Sequence, residues 1–229
     1  MGQYYDVIAG NSDGKEMKAY TTSSIGGDWI GCKLMEHSWI GNRFMDHWMG
    51  TLADSPLRIA WFGDYASDNM NYANRNPDIS SSQMVEWFHE GIKSSGLDLL
   101  EETETIPFVK KIDVNNKFLV NISKKCFIDM NKYIEKNTFY DEFNNSRCTH
   151  PLSILTCVGN GLGGGDFEPN KESTNDLIGK WAFDVIEVTD KRPDDYKEIE
   201  PIFKEEEKKN KLLEEILKEL QKGKEKGND

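Results

Sequence analysis

Four groups of residues in this chain carry side chains able to do chemistry. The densest is Cys32, Glu36, His37, Asp46 and His47, followed after an apolar run by Asp64. Nitrogen, sulfur and oxygen donors of these kinds suit Zn²⁺, which takes about four ligands and an outer shell that orients them. The spacing matches no zinc signature, because Glu36 and His37 are adjacent and one helix does not aim Cys32 and His37 at one point. The alternative is that His37 and His47 are half-buried and hydrogen-bonded to neighbours. The second group is Trp61-Phe62-Gly63-Asp64-Tyr65-Ala66-Ser67-Asp68. A strand ending in Gly-Asp sets a carboxylate at the rim of a sheet, where Asp68 joins it as a further oxygen donor. Equally, Asp64 closes a turn through its own backbone.

The third group is the run Gly159-Asn160-Gly161-Leu162-Gly163-Gly164-Gly165-Asp166. Such a loop can curl its N–H groups around an anion. Phe167-Glu168-Pro169 denies the helix start that a dinucleotide fingerprint needs, the P-loop lysine is missing, and Asp166 repels phosphate. Close packing of the loop on the core is the better reading. The fourth is Cys148 with His150, an i, i+2 pair that shares one side of a strand and could activate the thiol. It lacks a third, orienting group. No GxSxG is present, and Ser153 lies in an apolar run, so a serine triad is unsupported. His89, beside Trp87 and Phe88, reads as a partly buried, satisfied side chain.

The elements that must position these groups follow from periodicity. Tyr5–Ala9 and Met17–Tyr20, separated by Asn11-Ser12-Asp13-Gly14, read as a hairpin. Residues 32–49 suit a helix with Leu34, Met35, Trp39, Phe44 and Trp48 as bulk, although Gly41-Asn42 can break it. Arg58–Phe62 is a buried strand stopped by Gly63. Asp78 or Ser80 caps a helix over 82–92. Phe118–Ile122 and Cys126–Met130 form a strand pair joined by Ser123-Lys124-Lys125. Leu152–Val158 and Trp181–Val188 read as two more strands. With no repeat and no βαβ rhythm, the expected class is α+β, with a mixed or mainly antiparallel sheet and two or three helices.

The 229 residues carry 28 basic and 40 acidic side chains, a formal charge of −12. Residues 190–229 hold 11 basic and 13 acidic groups, so the acidity sits in residues 1–189. That segment is expected to be one acidic domain. Residues 190–229 are expected to form a charged linker, an amphipathic helix over 202–221 (Leu212, Leu213, Ile216, Leu217, Leu220) and a disordered end. A second copy of the chain is one natural partner for that helix. An acidic surface argues against direct nucleic-acid binding and favours a basic protein partner. The start of the chain lacks the basic and apolar regions of a signal peptide, and there is no run of 18 apolar residues. Four widely spaced cysteines, Cys32, Cys126, Cys148 and Cys157, read as reduced core thiols, and the expected location is the cytosol.

Several segments resemble an uncharacterised family carried by phages and prophages of Gram-positive bacteria. They are Met1-Gly2-Gln3-Tyr4-Tyr5, Leu34-Met35-Glu36-His37-Ser38 with Gly41-Asn42, Gly63-Asp64-Tyr65-Ala66, and His150-Pro151-Leu152 leading into the glycine run. Gly179-Lys180-Trp181-Ala182-Phe183-Asp184 resembles the family's last strand. The pattern departs at Leu119-Val120-Asn121-Ile122, where many relatives place a His after the Asn. The resemblance implies a mobile element acting inside a bacterium. It extends to a zinc-containing inhibitor of a type II CRISPR effector, whose basic channels an acidic protein suits. On this reading the chain is a non-enzymatic inhibitor that blocks target-DNA loading. A structural zinc is held by His37 and Asp64, then His47 and His150, and Trp29, Trp39 and Tyr65 anchor the partner. The competing reading is a metal-dependent hydrolase acting on a nucleotide or phosphoester, with Glu36, His37, Asp64 and Asp166 around an open metal site.

Overall fold

A computed structural model describes residues 4–20, 38–66, 70–94, 112–140, 144–159 and 175–203. Its centre is strand β3 (Leu57–Gly63), whose side chains are buried on both faces: Ile59 and Trp61 on one, Ala60 and Phe62 on the other. A strand covered on both sides reads as a continuous apolar run, and Ile59-Ala60-Trp61-Phe62 is one. β1 (Tyr5–Gly10) lies antiparallel along one edge of β3 with Tyr5 opposite Gly63, and β2 (Met17–Tyr20) continues outward as the expected hairpin.

The other edge of β3 is shared by two strands. Its first half pairs antiparallel with β9 (Asp184–Thr189), and its second half pairs parallel with β8 (Cys157–Val158). From β9 the sheet continues through β4 (Phe118–Asn121) and β5 (Cys126–Asp129) to the two-residue β10 (Lys197–Glu198), which runs parallel to β5. A separate ribbon pairs β6 (Phe139–Tyr140) with β7 (Ser146–Arg147). The fold is α+β with a mixed, mostly antiparallel sheet. No helix among the described residues is long and apolar enough to cross a membrane.

Helices cover both faces. On the first lie α1 (Arg43–Asp54), α4 (Met130–Asn137) and α5 (Pro151–Thr156); on the second lie the short α2 (Met70–Ala73) and α3 (Ser81–Ser94). The 32–49 expectation shifts toward the C-terminus: the helix starts at Arg43 and reaches Asp54. Gly41 takes φ +88°, and the Asn42 side chain accepts the Phe44 N–H at 2.8 Å, a helix start rather than an interior. Leu34 and Met35 lie outside the described residues. Ser80 is the cap for α3, its hydroxyl accepting the Gln83 N–H at 3.1 Å.

Three elements differ from the sequence reading. The 152–158 run is a helix followed by a two-residue strand. Pro151 occupies its first turn, and the His150 Nδ1 accepts the Leu152 N–H at 3.1 Å. Burial on every side removed the periodicity that would have marked it. Trp181–Phe183 forms a turn ahead of β9. Gly179, at φ +70°, lets the chain pass where a Cβ would stand 2.6 Å from the Cys157 carbonyl oxygen. α4, which the sequence reading lacked, is capped by the Asp129 carboxylate at the end of β5.

The stretch after residue 189 also begins as part of the body. β10 extends the sheet, Phe203 is fully buried, and its N–H donates to the Asn137 side chain at 2.6 Å. The same Asn137 amide donates to the carbonyls of Pro201 and Tyr133. Lys132 and Lys136 pair with Glu198 and Glu200 above it. Ile202 and Phe203 are not helical, and the rest of the expected 202–221 helix lies outside the described residues.

Candidate functional site

The sequence candidates Asp64 and Tyr65 stand at the rim where β3 ends. β3 and β8 run parallel and finish at the same end of the sheet. Here the backbone turns out through Gly63 into Asp64 and Tyr65. Asp64 and Tyr4 clasp one another: the Asp64 N–H donates to the Tyr4 carbonyl at 2.9 Å, and the Tyr4 N–H donates to Asp64 Oδ1 at 3.3 Å. Tyr4 is 45% exposed and Tyr65 39% exposed, two of the three large hydrophobic side chains exposed among the described residues.

A second carboxyl stands beside this clasp. Asp6, opposite Phe62 in the β1–β3 register, lies on the face that carries Ile8 and Phe62. Burial, and then the Asp64 carboxylate, push its pKa up to about 6. Asp6 therefore exchanges its proton near neutrality, while the exposed Asp64 beside it carries the repelling charge. Sequence reasoning identified Asp64 and missed Asp6. The available signal was a lone acid in an otherwise apolar alternating strand, Tyr5-Asp6-Val7-Ile8-Ala9.

The histidines stand elsewhere. His47 is buried on α1, edge-on to Trp48 at 5.4 Å, and burial lowers its pKa. His150 is fully buried at the start of α5, and burial pushes its pKa down to about 3. Its Nδ1 accepts a backbone N–H, so the single proton of the neutral ring sits on Nε2, which has no hydrogen-bond partner. A metal at Nε2 would need the ring proton moved to Nδ1, which would end the bond from the Leu152 N–H that caps α5. Segment 38–40 runs beside 148–150, with the His150 N–H on the Ser38 carbonyl at 2.7 Å and Trp39 bridged to Thr149. His37, Trp29, Cys32, Glu36, Asp68 and Asp166 lie outside the described residues. Among the described residues, no three His, Cys, Asp or Glu side chains gather as a metal site.

The remaining sequence candidates resolve individually. Trp39 is half-buried under the Arg147 guanidinium, 4.6 Å from its ring centre. Burial pushes the Cys148 thiol up to about 12, so the Cys148–His150 pair holds neither a thiolate nor an imidazolium to activate it. Cys126, Cys148 and Cys157 are buried free thiols. Ser153 donates to the His150 carbonyl inside α5. His89 is exposed on α3, contrary to its reading as partly buried, because Phe88 rather than His89 turns inward to stack on Phe62 at 4.3 Å.

The comparisons add no family. No protein-family model, curated protein or solved structure matches the chain.

Proposed function

We propose that this chain is a non-enzymatic inhibitor of host defence, carried by a phage or prophage and acting in the bacterial cytosol. It binds a type II CRISPR effector through the Tyr4–Asp6–Asp64–Tyr65 rim and blocks target-DNA loading. The observation that carries the reading is the pairing of two exposed tyrosines with two carboxyls at one strand end of a strongly acidic protein. Aromatic anchors supply contact area, and the surrounding charge selects a basic surface of the kind that holds nucleic acid. Zinc belongs to this reading through His37 and Asp64, then His47 and His150, of which His150 is engaged as the cap of α5. Metal analysis of the purified protein tests it.

The deciding experiment is co-elution with a guide-loaded type II effector at low and moderate salt, with target-DNA binding assayed on the same fractions. A complex that weakens with salt and excludes DNA is expected. No complex at either salt overturns the proposed target. One observation favours a second reading: a carboxyl that holds a proton near pH 6 beside an ionised one is the arrangement of an acid–base pair. On that reading the chain is a metal-dependent hydrolase of a nucleotide or phosphoester. Phosphoester turnover lost both on chelation and in Asp64→Ala, with the fold intact, would support it.

A further inference from the structure

Away from the rim, a buried polar cluster joins three parts of the chain. Asp184, 1% exposed at the start of β9, accepts from Asn76 Nδ2 at 3.0 Å and from Asn121 Nδ2 at 2.7 Å. Lys124, in the β4–β5 turn, reaches the same carboxylate at 3.0 Å and Asn76 Oδ1 at 3.0 Å, and pairs outward with Asp78. Asn76 is itself 1% exposed. Its amide orientation is fixed from both ends: Nδ2 also donates to the Ala182 carbonyl at 2.8 Å, and Oδ1 accepts the Asp78 N–H at 3.1 Å. The Arg58 guanidinium donates to the carbonyl of Phe183, and its charge acts on Asp184.

These contacts are the parts of an amide-exchange reaction. An amine lies against an amide carbonyl, a buried carboxylate touches both the amine and the amide nitrogen, and a backbone N–H is aimed at the amide oxygen. We propose that Lys124 and Asn76 are the site of a self-catalysed isopeptide bond, with Asp184 as the catalytic acid–base residue. Asp184 takes a proton from the Lys124 ammonium. The freed Nζ lone pair bonds to the Asn76 side-chain carbonyl carbon, and the carbonyl π pair moves onto Oδ1, where the Asp78 N–H receives the developing charge. The proton on Asp184 passes to Nδ2, with which it is already hydrogen-bonded. As the carbon–Nδ2 bond breaks, ammonia leaves and the new amide nitrogen gives its second proton to Asp184. One C–N bond replaces another, so no oxidant, cofactor or energy source is needed. Holding amine and amide together in a buried site supplies the proximity such a step requires.

Asn121 is excluded as the electrophile, because its Oδ1 is engaged by the Lys124 backbone N–H at 2.9 Å rather than by the amine. The inference is independent of the rim and of any partner. It adds a covalent link between residues 48 positions apart.

The test is the intact mass of the full chain in denaturant, followed by peptide mapping. The expected result is a protein lighter by one ammonia, with a branched peptide joining Lys124 to Asn76. Lys124→Arg, which keeps the positive charge, and Asn76→Ala should each restore the mass of their own sequence, and Asp184→Asn should form no link. A wild-type chain at the full mass of its sequence overturns the proposal, without depending on any variant folding. So does an ammonia loss that survives in Lys124→Arg, which would mark a cyclised asparagine, or a loss of water in place of ammonia, which would mark a bond to Asp78.

Discussion

Replacing Asp6 with asparagine should stabilise the protein at pH 8 and leave it nearly unchanged at pH 4. The folded-state pKa of Asp6 is raised to about 6, above its ordinary 3.8. Between those values the folded state therefore binds more protons at this group than the unfolded state does. Stability attributable to Asp6 is fully present below about pH 4, falls as pH rises, and is lost once pH passes 6. The displacement of about two pH units corresponds to about 3 kcal/mol at pH 8, at 1.36 kcal/mol per unit. For a domain of this size that amounts to a Tm difference of about 6–12 °C. Asparagine keeps the shape and removes the charge, so the variant should hold this increment at every pH. The assay is urea denaturation of wild type and Asp6→Asn from pH 4 to 8, read as the difference between the two. Groups whose pKa is lowered in the folded state, such as Asp13 and Glu200, slope the opposite way and cancel in that difference. A variant less stable by the same amount at every pH would refute the argument, showing that Asp6 acts by contacts rather than by charge.

Tyr65→Ala should weaken partner binding about tenfold or more while leaving thermal stability within about 0.5 kcal/mol, as an exposed anchor residue does; titration calorimetry alongside melting curves checks both. Asn137→Ala should cost about 3 kcal/mol, because it leaves the buried Phe203 N–H and Pro201 carbonyl without their partner. Hydrogen exchange should then show faster exchange across 197–203, and unchanged protection there would count against the clamp. His150→Ala should lose about 1 kcal/mol through the missing cap and His150→Asn should recover part of it. The cost should be largest above pH 6.5 and shrink as pH falls toward 5, because unfolded wild type then takes up a proton that folded His150, held down at about 3, does not; a cost that stays flat from pH 5 to 8 would contradict its burial.

What could be read from the sequence was what local patterns specify. The hairpin of β1 and β2, the β4–β5 pair and the buried β3 each carried two-residue alternation or a bounded apolar run, and each formed where expected. The α5 segment failed for the opposite reason. Pro151-Leu152-Ser153-Ile154-Leu155-Thr156 is buried throughout, so its composition describes an environment and not a period. The cap that decides it is a histidine, outside the usual Ser, Thr, Asp and Asn set. The metal-ligand expectation for His150 rested on residue type, whereas the ring's role depends on which nitrogen meets the Leu152 N–H, a matter of backbone geometry. The Asn76–Lys124–Asp184 cluster was equally out of reach, because its members come from positions far apart that only the sheet order brings together.

Asp6 and Asp184 show how this fold treats two acids of its central sheet. Asp184 is fully buried, and Asp6 is half-buried near the strand end. Asp184 is met by two amides and an ammonium, so its charge is compensated within the core. Asp6 instead faces another carboxylate across the strand ends, an arrangement that costs stability at neutral pH. An aspartate whose substitution by asparagine would strengthen the fold is hard to explain by packing. On the proposed reading Asp6 serves the rim instead, since local rules are broken most often where function competes with stability. The same reasoning joins Asp6 to its neighbours. Tyr4 and Tyr65 remain exposed at the same strand end, although Phe62, one residue before the last of β3, is buried against Phe88. The rim thus sets two neighbouring carboxyls beside exposed aromatic area. A basic, flat surface would relieve both at once, lowering the repulsion between Asp6 and Asp64 while burying the two tyrosines.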